Sequence, residues 1–266
     1  MARVDGYNTR PGYSAWAEAR RRMATQPGWQ WEVAAALGLA FMVGLLLGRL
    51  TAWSMLLAPV LGVVLAGGLI VSGHRRREVV SGWLQGAKGE QLTARALRPL
   101  EREGWRIFHD LQVPGSPANI DHLLVGPGGV WVIDSKLWTG QLRWDPQQGW
   151  MHGQYPLLPD LNTTRWEAAQ VEQALEAFLT RAGRHLDGSR GIDVHMAWCI
   201  HGLQLPGGRV RADGETIAAP GQLLKVLRDG RGPTLPPTAI DELAGDVETI
   251  FQPALPSPSG PRVEGA

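Results

Sequence analysis

Hydrophobic residues are spread very unevenly along this chain. Residues 33–73 carry one charge, Arg49; Val33 to Gly48 is uncharged for 16 residues and Leu50 to Gly73 for 24. At 1.5 Å per residue the second run reaches about 36 Å, enough to cross a hydrocarbon core of about 30 Å. The first becomes long enough if Trp31 and Glu32 sit in one interface while Arg49 snorkels to the other. Trp29, Trp31 and Trp53 stand where interfacial aromatics belong, and Pro59 kinks the second helix. Arg20, Arg21 and Arg22 precede the pair and Arg75, Arg76 and Arg77 follow it, which places both chain ends on the cytoplasmic side. The pattern predicts a transmembrane α-helical hairpin over residues 31–73, hence a two-span, multi-pass cell-membrane protein with the lipid bilayer as a partner. The competing reading is a helical hairpin buried in a soluble core. The apolar region begins too late and runs too long for a cleaved signal peptide.

Past Gly73 the periodicity shortens. Residues 1–30 read as a flexible cytoplasmic arm with at most a short helix from Ser14 to Met23. A helix is predicted from about Glu78 to Arg98, ended or kinked by Pro99, with Gly86 and Gly89 leaving room for another backbone. Strands are expected at Trp105–Val113, Gln141–Trp144, Trp150–Leu157, His195–Ile200 and Glu215–Ala218, and helices from Asn162 as cap to Ala182 and at Gln222–Leu227. The expected divisions are a folded domain at 78–230, a linker and amphipathic C-terminal helix at 231–252 (Ile240, Leu243, Val247, Ile250 and Phe251 as its stripe), and a disordered tail at 253–266.

The segment richest in chemistry is Ala118 to Lys136. Two apolar runs flank Gly126-Pro127-Gly128-Gly129, which reads as a hairpin with a four-residue loop. In that register partner numbers sum to 255: Val125 faces Val130, Leu123 faces Val132 and Asp121 faces Asp134. Side chains alternate faces, so Asp121, Asp134 and Lys136 share one side and His122 the other. Opposed like charges on a strand pair repel at a separation of about 5 Å. A divalent metal would compensate two such carboxylates, and the bland alternative is a salt-bridged cluster on a solvated sheet face.

Composition narrows the picture modestly. A formal net charge of +1 over 266 residues announces no polycation, although a small basic groove can sit on a neutral protein. The single cysteine, Cys199, excludes an intrachain disulfide and a multi-thiolate zinc site. Lys88 lacks the context of a phosphate-binding loop. His195 and His201 have no metal-ligand spacing with partners, and Trp138, Trp144, Trp150 and Trp166 read as core aromatics before base-stacking platforms.

The order helix, strand, carboxylate-bearing hairpin, helix, strand is that of the PD-(D/E)xK nuclease superfamily. Within it the chain resembles the nuclease-related domain family, NERD, through Gly86-Ala-Lys-Gly-Glu90, the stretch Asn119 to Lys136, and Gly140. The resemblance covers about residues 84–180; Asp134 stands where the family often has Glu, and Ser135 where it often has Thr. It implies an α/β fold, a restriction-endonuclease-like mixed β-sheet flanked by helices. It implies that Asp121, Asp134 and Glu90 hold Mg²⁺ or Mn²⁺ and that Lys136 orients or helps deprotonate the attacking water. Gln170 matches a helix Gln that contacts the active site in some relatives. The implied function is a membrane-anchored, metal-dependent nuclease acting on DNA or RNA, an enzyme of the phosphodiester hydrolase class. The alternative is a non-catalytic, membrane-tethered module binding nucleic acid or protein on a nuclease-like scaffold.

Overall fold

The computed structural model describes residues 10–24, 34–35, 37–38, 42, 54–184, 192–230 and 234–254. The chain divides into two units, one made of Met1–Trp16 with Gln85–Gly260 and the other of Ala17–Leu84 with Pro261–Ala266. Five helices are labelled in chain order: α1 (Tyr13–Ala24), α2 (Ser54–Glu101), α3 (Leu158–Arg181), α4 (Pro220–Asp229) and α5 (Pro237–Ile250).

The first unit is built on a six-stranded mixed sheet of order β1 (Arg106–Gln112), β2 (Asn119–Gly126), β3 (Gly129–Leu137), β7 (Val194–His201), β9 (Glu215–Ala218), β8 (Arg209–Ala212). The β3–β7 and β7–β9 pairs are parallel and the others antiparallel. A parallel neighbour needs a long crossover. Between β3 and β7 the chain forms a small sheet, β4 (Leu142–Asp145), β5 (Gly149–His152) and β6 (Tyr155–Pro156), then α3.

Strand alternation sorts the core into two layers. Leu123, Val125, Val132, Met196, Trp198 and Ile217 face Leu161, Val171 and Leu175 of α3 and Ile240, Leu243 and Val247 of α5. Leu124, Trp131, Ile133, Ala197 and Cys199 face Leu97 and Leu100 of α2 and Leu223 and Leu227 of α4. The result is helices on both faces of a mixed sheet, in agreement with the expected α/β class. The C-terminal helix is thereby part of this core, and Phe251 beyond it is fully buried. The chain beyond it then lies alongside β1: Leu111 bridges Pro253, and Ala254 N–H donates to the Asp110 carbonyl. Of the expected tail, residues 255–266 lie outside the described ones.

Several expectations are corrected. Sequence placed a break between a membrane span and a helix at Glu78, but α2 is one 48-residue helix that runs through Pro99. Pro99 has no N–H to give the Arg95 carbonyl, and the helix ends two residues after it. Helix α3 begins at Leu158, not after Asn162, since Pro159 fits the first turn; Asn162 Oδ1 accepts from Arg165 instead. The hairpin ladder reaches Gly126↔Gly129, so Pro127 and Gly128 alone make the turn. A Cβ on Gly126 would overlap the Trp105 ring, which fixes glycine there by close approach. Strand β8 was not anticipated.

Within the arm, α1 spans Tyr13–Ala24, one residue longer at each end than the short helix expected there. In the second unit Glu18, fully buried, pairs with Arg21 at 3.1 Å and Arg22 at 2.6 Å, and the Arg22 guanidinium lies 5.9 Å from the centre of the Trp83 ring. Among the described residues no helix is long and apolar enough to cross a membrane. The expected two-span hairpin is therefore not supported by the structure; most of residues 31–53, and many side chains of the second expected span, lie outside what is described.

Candidate functional site

The acidic residues are delivered by three elements. The β2–β3 ladder pairs His122↔Ile133, Leu123↔Val132, Leu124↔Trp131 and Val125↔Val130, the register read from sequence. One step further, where Asp121 and Asp134 would face each other, the side chain replaces the backbone: Asp121 Oδ2 accepts from the Ser135 main-chain N–H at 2.8 Å. Asp134 Oδ2 lies 3.1 Å from Lys136 Nζ and accepts from Thr164 Oγ1 at 2.9 Å. Thr164 in turn accepts from the Trp198 indole N–H at 2.9 Å, and Lys136 Nζ lies 5.2 Å from the centre of the Trp198 ring. Asp134 and Lys136 are thus held by α3 and β7 in a defined geometry.

Glu90 comes from α2 and is 5% exposed. Its Oε2 is buried without a hydrogen-bond partner. Burial first, then the charges of Asp121, Asp110 and Asp134, hold its carboxyl well above the usual range, while the Gly12 main-chain amide pulls the other way. Its approach to the sheet is set by Gly89, whose Cβ position lies 3.3 Å from Leu137 Cβ. Gly86 has nothing within 4 Å and plays no such part. Asp121 is likewise pushed well up, by burial and then by Asp134; the Ser135 N–H and Lys136 oppose this incompletely. For Lys136, burial favours the neutral amine, but Asp134, Asp121 and Asp160 outweigh it and the ammonium is stabilised.

A further acid was not anticipated. Glu167 lies one turn after Thr164 on α3, and burial followed by the charges of Asp134 and Asp121 raises its carboxyl well above normal, with Lys136 opposing. The signal was available: at about 100° per residue, Asp160, Thr164 and Glu167 fall on one flank of the stripe formed by Leu161, Ala168, Val171 and Leu175. Gln170 falls farther round the helix, half-buried, and no hydrogen bond joins it to these carboxylates.

Beneath Asp121, on the opposite face, runs a chain of buried polar groups. His109 Nδ1 lies 2.7 Å from His122 Nδ1, and His122 Nε2 lies 3.0 Å from Ser135 Oγ. Burial lowers His109 to about 4 and takes His122 well below its ordinary value. His201 Nε2 meets Thr93 Oγ1 at 2.9 Å, and burial pushes the Cys199 thiol up to about 12, against a hydrogen bond from Thr93. That thiol is not a nucleophile. Trp138 stacks on His152 at 4.5 Å and meets Trp198 edge-on, and Trp150 donates to the Arg211 carbonyl, so both serve packing. Trp144 and Trp166 are 60% and 43% exposed.

Four of the five expected site residues, Glu90, Asp121, Asp134 and Lys136, therefore interact with one another. The nuclease-related domain, NERD, matches residues 85–201. No curated protein and no solved structure matches the chain. The NERD match begins at Gln85 on α2 and ends at His201, the last residue of β7. It contains every acidic group just described, and it stops short of β8, β9, α4 and α5.

Among the described residues no group of three His, Cys, Asp or Glu side chains stands ready to hold a metal ion. Asp121 and Asp134 each spend an oxygen on an internal donor, and Lys136 occupies the cationic role. The donor set nevertheless suits a hard divalent cation: all oxygens, mutually repelling, with Glu90 Oε2 orphaned.

Proposed function

We propose that this NERD domain hydrolyses phosphodiester bonds of DNA or RNA with Mg²⁺ or Mn²⁺ as cofactor, held by Asp121, Asp134 and Glu90. The observation that carries the reading is the unpartnered, buried Glu90 Oε2 beside two further carboxylates and a lysine. An uncompensated buried carboxylate is expensive, and sites that tolerate one are commonly poised for a ligand. A divalent ion, when bound, would supply charge neutralisation at the phosphoryl oxygens and a more acidic water.

The protein groups then have distinct tasks. Lys136, paired with Asp134 at 3.1 Å, serves as a hydrogen-bond donor to a non-bridging phosphate oxygen. Thr164 and Trp198 hold Asp134 so that Lys136 is aimed at the substrate. Glu167, buried beside Asp134 and Asp121, is placed to accept a proton as water adds to phosphorus, and the leaving oxygen takes a proton from solvent as its bond breaks. The Ser135 N–H keeps Asp121 in place throughout.

The membrane tether belongs to the same proposal and rests on sequence: the 24 uncharged residues from Leu50 to Gly73, flanked by Arg75–Arg77. It would place the nuclease domain at the cytoplasmic face of the cell membrane. Retention of the full chain in a carbonate-washed membrane fraction, and its release when residues 31–73 are deleted, checks this part.

The decisive experiment is cleavage of single- and double-stranded DNA and RNA with Mg²⁺ or Mn²⁺, wild type against Asp134→Ala. Loss of at least about 100-fold in the variant supports hydrolysis at this site. Equal rates refute it. Absence of cleavage together with stoichiometric nucleic-acid binding would favour the non-catalytic module.

A further inference from the structure

We propose that residues 12–14, which lie outside the matched domain, complete the acidic site by holding Glu90 in place through a clasp on Asp110. The inference rests on the site reading above. Three observations carry it. Ser14 donates twice to the Asp110 carboxylate, N–H to Oδ2 at 2.7 Å and Oγ–H to Oδ1 at 2.6 Å, and both residues are buried, at 6% and 2% exposure. Asp110 therefore caps the N-terminus of α1 from a different part of the chain, where the exposed amides and the helix dipole favour an anion. Asp110 also takes φ +54, a left-handed conformation that interrupts the β1–β2 ladder between His109↔His122 and Leu111↔Ile120. Asn119 Nδ2 adds a further bond to its Oδ1 at 3.3 Å. A strained residue tied by this many donors is over-determined for one purpose.

That purpose is read from Gly12. Its φ is +72, and a Cβ there would come within 2.7 Å of the Ala87 carbonyl oxygen and 2.9 Å of Ala87 Cα. Only glycine brings the backbone this close to α2. From this position the Gly12 amide bonds to Glu90, one turn along from Ala87. The remaining carboxylate oxygen, Oε2, is the orphaned one. The arm's amide thus favours the Glu90 anion while Oε2 is left for a ligand, which is the arrangement expected of an outer partner that orients a metal-binding carboxylate.

The test uses the full-length chain and Mn²⁺ alone as probe, titrated by calorimetry. Gly12→Ala should weaken Mn²⁺ binding about ten- to a hundredfold and Ser14→Ala severalfold, as for other outer partners of metal ligands. Ser14→Thr, which keeps the hydroxyl, should restore it, a rescue that general loosening of the fold would not produce. Unchanged binding in Gly12→Ala overturns the proposal, and so does tighter binding, which would make the segment a plug. If the wild type takes up no Mn²⁺, the site reading itself fails and the clasp is judged by hydrogen exchange. The Gly12 and Ser14 amides should then exchange faster in Glu90→Ala and Asp110→Asn, respectively, and unchanged exchange refutes the clasp.

Discussion

Asp121 Oδ2 accepts a hydrogen bond from the Ser135 main-chain N–H at 2.8 Å, so an acidic side chain stands in for a backbone carbonyl where the β2–β3 ladder ends. The exchange has two consequences. It satisfies a buried N–H, and it fixes one oxygen of Asp121 while its charge remains opposed by Asp134. Ser135 itself is steadied from the other face by His122, so the position of the carboxylate depends on a polar chain through the sheet.

That dependence is measurable. In His122→Leu, Ser135 Oγ and His109 Nδ1 each lose a partner inside the protein. A buried polar group left unpaired costs about 1–3 kcal/mol. Urea unfolding of the variant should show a loss of this size with an unchanged slope, and an unaltered midpoint would show that these contacts carry no energy.

Thr164→Val preserves shape and removes the hydroxyl shared by Asp134 and Trp198. The indole N–H of a fully buried tryptophan is then unpaired, at a cost of about 1–3 kcal/mol. Cleavage should fall more steeply than stability, because Asp134 loses the donor that orients it. A Mg²⁺-dependent rate equal to wild type would remove Thr164 from the site.

The pH dependence of the metal-free protein has a definite sign on each side. His109 and His122 have depressed values, so their contribution is present above 6.5 and is lost as pH falls through that value, toward about 4 for His109. Glu90, Asp121 and Glu167 have raised values, so theirs is full below the ordinary carboxylate values of 3.8 to 4.5 and is lost as pH rises above them. Glu167→Gln should therefore raise the thermal midpoint at pH 8 with no added metal, and raise it less at pH 5. A lower midpoint at pH 8 would mean that Glu167 is stabilised as an anion and its assigned environment is wrong.

Substituting the packing beneath the site separates fold from chemistry. Trp131 is fully buried between β3 and the α2 layer, and its indole donates to the Gly128 carbonyl at 2.9 Å. Trp131→Ala should cost about 3–5 kcal/mol, seen in urea unfolding, with activity per folded molecule largely kept. A loss under 1 kcal/mol would show that the layer repacks.

The hairpin, its register, the shared side of Asp121, Asp134 and Lys136, and the opposite side of His122 were legible in the residues alone. Strand alternation and a glycine-rich turn are local rules that act within a few residues. Glu90 was legible only through its motif, since no local rule says where a helix residue will touch a sheet. Glu167 could be read from helical periodicity, since it lies inside the helix expected after Asn162 and flanks its apolar stripe. The part played by Asp110 and the arm at Gly12–Ser14 was not legible, because Ser14 and Asp110 are 96 positions apart and their pairing needs the whole domain between them. The same holds for the orphaned Glu90 oxygen: sequence supplies the carboxylate, but only packing removes its water and decides which of its two oxygens finds a partner.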